Sequence, residues 1–147
     1  MTDAGELRHV VSGVLAAQRF GVLATAGHGQ PYGSLVAFAA TEDLKSLVFA
    51  TSRETRKFAN LLAEPRVALV IDSRSNTEGD LRDAVAVTAL GPAREATGGE
   101  RKHLAGVYLA KHPVLAEFIG WPATALCVVA VEEYLVAGFS EVSRLLP

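Results

Sequence analysis

A single cysteine, Cys127, is all the thiol chemistry in this 147-residue chain, which excludes an intrachain disulfide and leaves no cysteine-rich metal site. It lies in the apolar run Ala125-Leu-Cys-Val-Val-Ala130, the setting of a small core residue. No apolar run is long enough to span a membrane, and the start Met-Thr-Asp-Ala-Gly-Glu lacks the basic-then-apolar order of a signal peptide. A reducing cytoplasm is the expected compartment, with no membrane partner. An excess of one charge is also missing: the net charge of −2 points away from nucleic acid. The four histidines, His9, His28, His103 and His112, show no paired ligand spacing, so no metal site is expected. Ser34 and Ser52 sit in no Gly-x-Ser-x-Gly context, which argues against a hydrolase. No Gly-x-Gly-x-x-Gly follows a strand, and no Gly-x-x-x-x-Gly-Lys-Ser/Thr loop occurs, so neither nucleotide fingerprint is present.

What remains is a chain half hydrophobic by residue count, long enough for one core, and residues 1–147 read as a single domain. Leu7, Val10, Val11, Val14 and Leu15 follow helical spacing behind Asp3, a candidate cap. Phe20 to Thr25 and Tyr32 to about Thr41 read as strands joined through the breakers Gly27-His-Gly-Gln-Pro31, a hairpin signal. Further strands are expected at Leu47 to Thr51, Arg66 to Asp72, Ala84 to Ala93, and in one long segment, Ala123 to Gly138, bent near Glu132-Glu133. Gly98-Gly99 separates the strand ending at Ala93 from a helix marked by Leu104, Val107, Tyr108 and Lys111 and halted at His112-Pro113, and a short helical piece runs on to Ile119. Consecutive strands with few intervening helices predict a mainly β fold with flanking helices, a six-stranded antiparallel sheet curled into a barrel.

Leu47-Val-Phe-Ala-Thr-Ser-Arg-Glu-Thr-Arg-Lys-Phe-Ala-Asn-Leu-Leu62 carries the densest chemistry. An apolar strand breaks into hydroxyls and cations and then turns helical, with Phe58, Leu61 and Leu62 on helical spacing up to Pro65. Ser52 stands where a helix cap belongs. A first helical turn offers free N–H groups and the positive end of the helix dipole, flanked here by Ser52, Thr55, Arg56 and Lys57, the combination a phosphate monoester requires. The same spacing also suits a capped surface helix whose cations face water, with Arg53 either a third phosphate cation or a surface residue.

Four pieces in order, Gly21-Val-Leu-Ala-Thr25, Gly29-Gln-Pro-Tyr-Gly-Ser-Leu-Val36, Phe49-Ala-Thr-Ser-Arg-Glu-Thr-Arg-Lys57 and Asn60-Leu-Leu-Ala-Glu-Pro-Arg-Val67, resemble the FMN-binding split-barrel proteins related to pyridoxamine 5′-phosphate oxidase. The resemblance covers nearly the whole chain. It implies a homodimer of six-stranded split barrels with FMN as cofactor at the interface. Its FMN contacts would fall on the strand from Ser34 through Leu35 and Val36 to Ala39, on Ala50 and Thr51, and on Thr55, Arg56 and Lys57, to which the residue reading adds Ser52. An oxidoreductase acting on an unidentified small substrate is the implied function.

The chain departs from the oxidases at Ser34 and Ala39, where they carry Arg and Lys, and in its tail, where Trp121 is followed by Pro-Ala-Thr-Ala-Leu-Cys127 with no Arg or His. The resemblance therefore does not extend to pyridoxamine phosphate oxidase activity itself. Val107-Tyr-Leu-Ala-Lys-His-Pro113, Phe118-Ile-Gly-Trp121 and Leu135-Val-Ala-Gly-Phe139 are similar instead to a branch associated with haem utilisation, which keeps a haem-binding or haem-degrading protein open. A deazaflavin-dependent reductase on the same barrel and a non-enzymatic flavin-binding module stay open as well. His112 reads as a helix-terminal cation or cap, or else as a haem contact. Trp121 and Phe139 are expected in the core, or else over a ring held by the neighbouring subunit.

Overall fold

Asp3 caps the first helix as expected: in the computed structural model, which describes residues 3–147, its Oδ1 accepts the Glu6 amide at 2.8 Å. Helix α1 (Ala4–Ala17) turns Leu7, Val11, Val14 and Leu15 inward, the one-face spacing its sequence carries. Strands β1 (Phe20–Gly27) and β2 (Gln30–Ala40) form a hairpin. Its two turn residues, His28 and Gly29, both have positive φ, at 52° and 77°, the geometry that matches the twist of the flanking strands. Then come β3 (Ser46–Ser52), α2 (Arg56–Ala63), β4 (Arg66–Asp72), the single turn α3 (Asp80–Asp83) and β5 (Ala86–Glu95). Helix α4 (Gly98–Lys111), a 3-10 turn (Pro113–Leu115) and α5 (Ala116–Ile119) precede β6 (Thr124–Ala130), β7 (Glu133–Ala137) and β8 (Val142–Leu145).

Every strand pair is antiparallel, and the order β4-β1-β2-β3-β6-β5 closes on itself through β5 and β4. The expected six-stranded barrel is therefore present. Two strands lie outside it. The long segment expected from Ala123 to Gly138 divides into β6 and β7, because the partner strand itself is shared: Ala93–Glu95 of β5 pair with β6, whereas Ala86–Leu90 pair with β7. At the crossing, Val131 donates to Lys45 O and Glu132 to Leu90 O, so the chain bends at the expected place. Gly91 makes the crossing possible, since a Cβ there would overlap the Ala130 carbonyl oxygen. Strand β8 has no counterpart in the sequence pattern because it is short and mostly turned outward. The two glycines expected to separate β5 from the next helix make that helix's first turn, with Gly98 at φ 59°.

One core fills the barrel and is closed by α1, with Leu23, Val36, Phe38, Phe49, Leu69, Val87 and Cys127 among its members. Burial pushes the Cys127 thiol up to about 12, as befits an inert core residue. A second core lies outside the barrel wall, where Leu104 and Tyr108 of α4 cover Ala39, Val48, Leu126 and Val128. Among the described residues, no helix is long and apolar enough to cross a membrane.

Candidate functional site

A fork between β2 and β3 is the feature that organises the candidate site. The two strands pair only through Phe38–Phe49, Ala39–Val48 and Ala40–Leu47. Beyond that point β2 continues with β1 alone, and β3 with β6 alone. Backbone N–H and C=O groups alternate in direction along a strand. The Ala37 carbonyl is turned toward β3, where the Tyr108 hydroxyl donates to it at 3.1 Å. By alternation Gly33 and Leu35 turn their backbone groups the same way, and no strand pairs with them there. On the other branch of the fork, Val48 is paired with Ala39, and by the same alternation the Ala50 amide turns toward the gap between the strands.

Helix α2 begins at the open end of this fork. Its cap is Thr55, not Ser52: Thr55 Oγ1 accepts the Phe58 amide at 3.3 Å. Ser52 is instead the last residue of β3, paired with Thr124, and its Oγ accepts the Glu54 amide in a tight turn. The strand simply runs one residue further than its apolar run, which displaces the cap by three positions. Thr51 and Thr55 touch through their hydroxyls at 2.8 Å, and Thr55 also donates to Ser52 O. Both hydroxyls are thus engaged in building the helix start. What faces outward is the pair of free amides at Arg56 and Lys57, together with their side chains.

Neither Arg56 nor Lys57 pairs with a carboxylate among the described residues. Arg56 lies over the Tyr32 ring, Cζ 5.1 Å from the centroid, a contact that steadies a cation without neutralising it. Arg53 is different. It binds Glu95 through two nitrogens and donates to Pro122 O, and the bonded guanidinium holds the Glu95 carboxyl below the usual carboxylate range. Its charge is therefore already paired, unlike those of Arg56 and Lys57 among the described residues.

The expected residues therefore gather on two sides of one opening, in unequal roles. Leu35 is exposed at 66%, whereas the Val36 side chain points into the barrel, which leaves Val36 only backbone to offer. Ser34 Oγ is buried without a hydrogen-bond partner among the described residues. Ala50 is half-buried and Thr51 buried at the end of β3. Sequence reasoning missed Tyr32, Asn60 and Tyr108. Asn60 Nδ2 donates to Thr25 Oγ1 at 3.0 Å and so fixes α2 on β1. No spacing rule links residues 35 positions apart; only the resemblance, which spans both, marks the region. His112 is buried at the end of α4 as the expected cap residue, with Nε2–H donating to Phe38 O at 2.7 Å. Trp121 and Phe139 are not core residues: they are 53% and 79% exposed. Trp121 follows α5 at the surface, its ring edge-on to Phe118. No cluster of three metal-ligating side chains occurs among the described residues.

The sequence pattern of the pyridoxamine 5′-phosphate oxidase family matches residues 7–135, and the chain belongs to that family. A 5a,11a-dehydrotetracycline/5a,11a-dehydrooxytetracycline reductase of Streptomyces rimosus is 34% identical over 104 residues, covering 67% of this chain and 72% of the relative. Among solved structures, a haem-binding protein of Mycobacterium smegmatis superposes with a TM-score of 0.83 at 20% identity over 99% of this chain, which spans 59% of that protein's length. An FAD-binding protein of Mesorhizobium loti gives 0.68 at 23% identity, covering 86% of this chain and 88% of that one. At these identities the two structures speak for the fold alone.

Proposed function

We propose that the chain is an FMN-binding oxidoreductase, with the flavin phosphate at the start of α2 and the ring along the open edge of β2. The observation that carries this reading is the fork itself, an open β2 edge beside the start of α2, where Arg56 and Lys57 pair with no carboxylate among the described residues. The residues present fit such a group. The Ser34 hydroxyl is buried without a partner among the described residues, and a buried polar atom of that kind marks a missing hydrogen-bonding neighbour. The amides of Arg56 and Lys57 and their side chains would take the phosphate, while Gly33 and Leu35 would offer backbone donors and acceptors to a flat polar edge. When bound, FMN supplies reversible hydride and electron transfer. Tyr32 holds Arg56, Thr55 holds the helix start, and the Asn60–Thr25 bond keeps both in place against β1.

Two copies would complete the site. Phe20, Val22 and Leu35 are exposed on neighbouring positions of β1 and β2, with Val22 directly opposite Leu35, an apolar face beside the fork that suits a homodimer. A lone buried thiol agrees with a reducing cytoplasm.

The absorption spectrum of the purified protein, recorded alone, with added FMN, with a deazaflavin and with haemin, tests the reading. Flavin bands with a shifted or quenched signature, on a dimer by sedimentation, are the expected result. A Soret response without a flavin response would transfer the function to haem, and preference for the deazaflavin would replace the cofactor.

A further inference from the structure

Two strands that separate need something to hold them apart at a set width. In this protein that element is a side chain. Tyr108 projects from α4 to the point where β2 and β3 part, its ring buried in the core beneath the helix. Its hydroxyl donates to Ala37 O on one strand, and by alternation from Val48 the Ala50 amide on the other turns into the same gap. Ala37 and Ala50 lie one residue beyond the last paired positions, Phe38 and Phe49, so a direct strand-to-strand bond is replaced there by the phenol. His112, one helical turn on, takes the next carbonyl of β2, Phe38 O, which faces the opposite side of the strand. Helix α4 therefore grips β2 at two consecutive carbonyls, immediately before its open edge begins.

We infer that Tyr108 is a positioning residue for the cofactor: its hydroxyl sets the width of the β2–β3 fork and thereby the spacing between the open backbone groups of β2 and the cations at the start of α2. The inference rests on the flavin reading above and assigns to Tyr108 no contact with the cofactor. Without the hydroxyl, the Ala37 carbonyl loses its partner and the fork is free to close or widen. Burial raises the phenol to about 12, so it remains a protonated donor across the neutral range.

Tyr134 is a built-in comparison. It too is a buried tyrosine whose hydroxyl donates to a backbone carbonyl, Leu44 O at 2.6 Å, but in the β2–β3 turn at the closed end of the pair. Tyr108→Phe and Tyr134→Phe each remove one such bond. The test is FMN titration of the wild type and both variants, with folding followed by circular dichroism and the bound-flavin spectrum recorded. Tyr108→Phe is expected to weaken FMN by about tenfold, the equivalent of one hydrogen bond, and to shift the bound-flavin band. Tyr134→Phe is expected to lower the melting temperature without moving either. Unchanged FMN affinity and spectrum in Tyr108→Phe, or equal losses in both variants, would overturn the inference while leaving flavin binding intact. A wild type that takes no FMN would remove both together. Should Tyr108→Phe not fold, wild-type hydrogen exchange decides: the Ala50 amide is expected to be protected without FMN, and free exchange there would overturn the assignment.

Discussion

Asn60 on α2 and Thr25 on β1, 35 residues apart in the chain, are joined at 3.0 Å, and that bond, together with Phe58 and Leu61 in the core, fixes the helix that carries Arg56 and Lys57 on the barrel. Gly27 lies two residues beyond Thr25, and a Cβ there would collide with Asn60 Oδ1. Gly27→Ala is expected to rotate Asn60 off Thr25 at a cost of about 1–2 kcal/mol, with looser FMN binding as a consequence. Urea denaturation and FMN titration read the two effects. Wild-type values for both would dissociate the bond from helix placement.

Arg56→Ala combined with Lys57→Ala is expected to weaken FMN by about 2–4 kcal/mol, since two charge-assisted contacts to a dianion are lost. Riboflavin, which lacks the phosphate, is the discriminating ligand. Its affinity should be indifferent to the double substitution. Equal losses for FMN and riboflavin would place the cations elsewhere than at the phosphate.

Gly91→Ala is expected to destabilise the fold by about 3 kcal/mol or more, because the obstacle is the Ala130 backbone carbonyl rather than a side chain that can turn away. The exchange of β5 partners from β6 to β7 happens at this residue. Thermal unfolding checks it, and a variant as stable as the wild type would show that the crossing tolerates a side chain.

Lys111 predicts a pH dependence of definite sign. Its Nζ donates to Leu15 O, at the end of α1, and lies 4.0 Å from the Phe38 ring centroid; burial lowers the amine to about 8 from 10.5. Between those values the unfolded chain holds more protons than the folded one, so this residue makes stability rise with pH from about 8 to 10.5. Cys127, raised by burial from 9.0, acts the other way as pH climbs past its ordinary value, and Tyr108 does so from 10.0. The contrast with Lys111→Met isolates the lysine: wild-type stability between about pH 8 and 9.5 should rise relative to the variant. Parallel pH profiles would refute the depressed amine.

Much of the barrel was readable from local pattern. Leu7, Val11, Val14 and Leu15 repeat at helical spacing because a helix against a barrel mouth buries one stripe, and Asp3 stands where such a helix needs its cap. The hairpin at His28-Gly29 and the buried strand at Val67–Ile71 likewise follow from turn chemistry and alternation. The division of the last long β segment did not follow, since it is imposed by β5 changing partners at Gly91.

The candidate site divides along the same line. Sequence alone determined that hydroxyls and cations cluster between an apolar strand and a helix, because those are neighbours in the chain and their chemistry is written in residue types. Tertiary structure decided which of them stay free. Thr51 and Thr55 are engaged with each other, Arg53 is neutralised by Glu95 from β5, and Arg56 and Lys57 pair with no carboxylate among the described residues. It also decided that β2 and β3 part at Phe38 and Phe49, and that a tyrosine 71 residues beyond Ala37 stands in the gap. Contacts between segments so far apart depend on how the closed sheet brings them together, and local spacing carries no record of that.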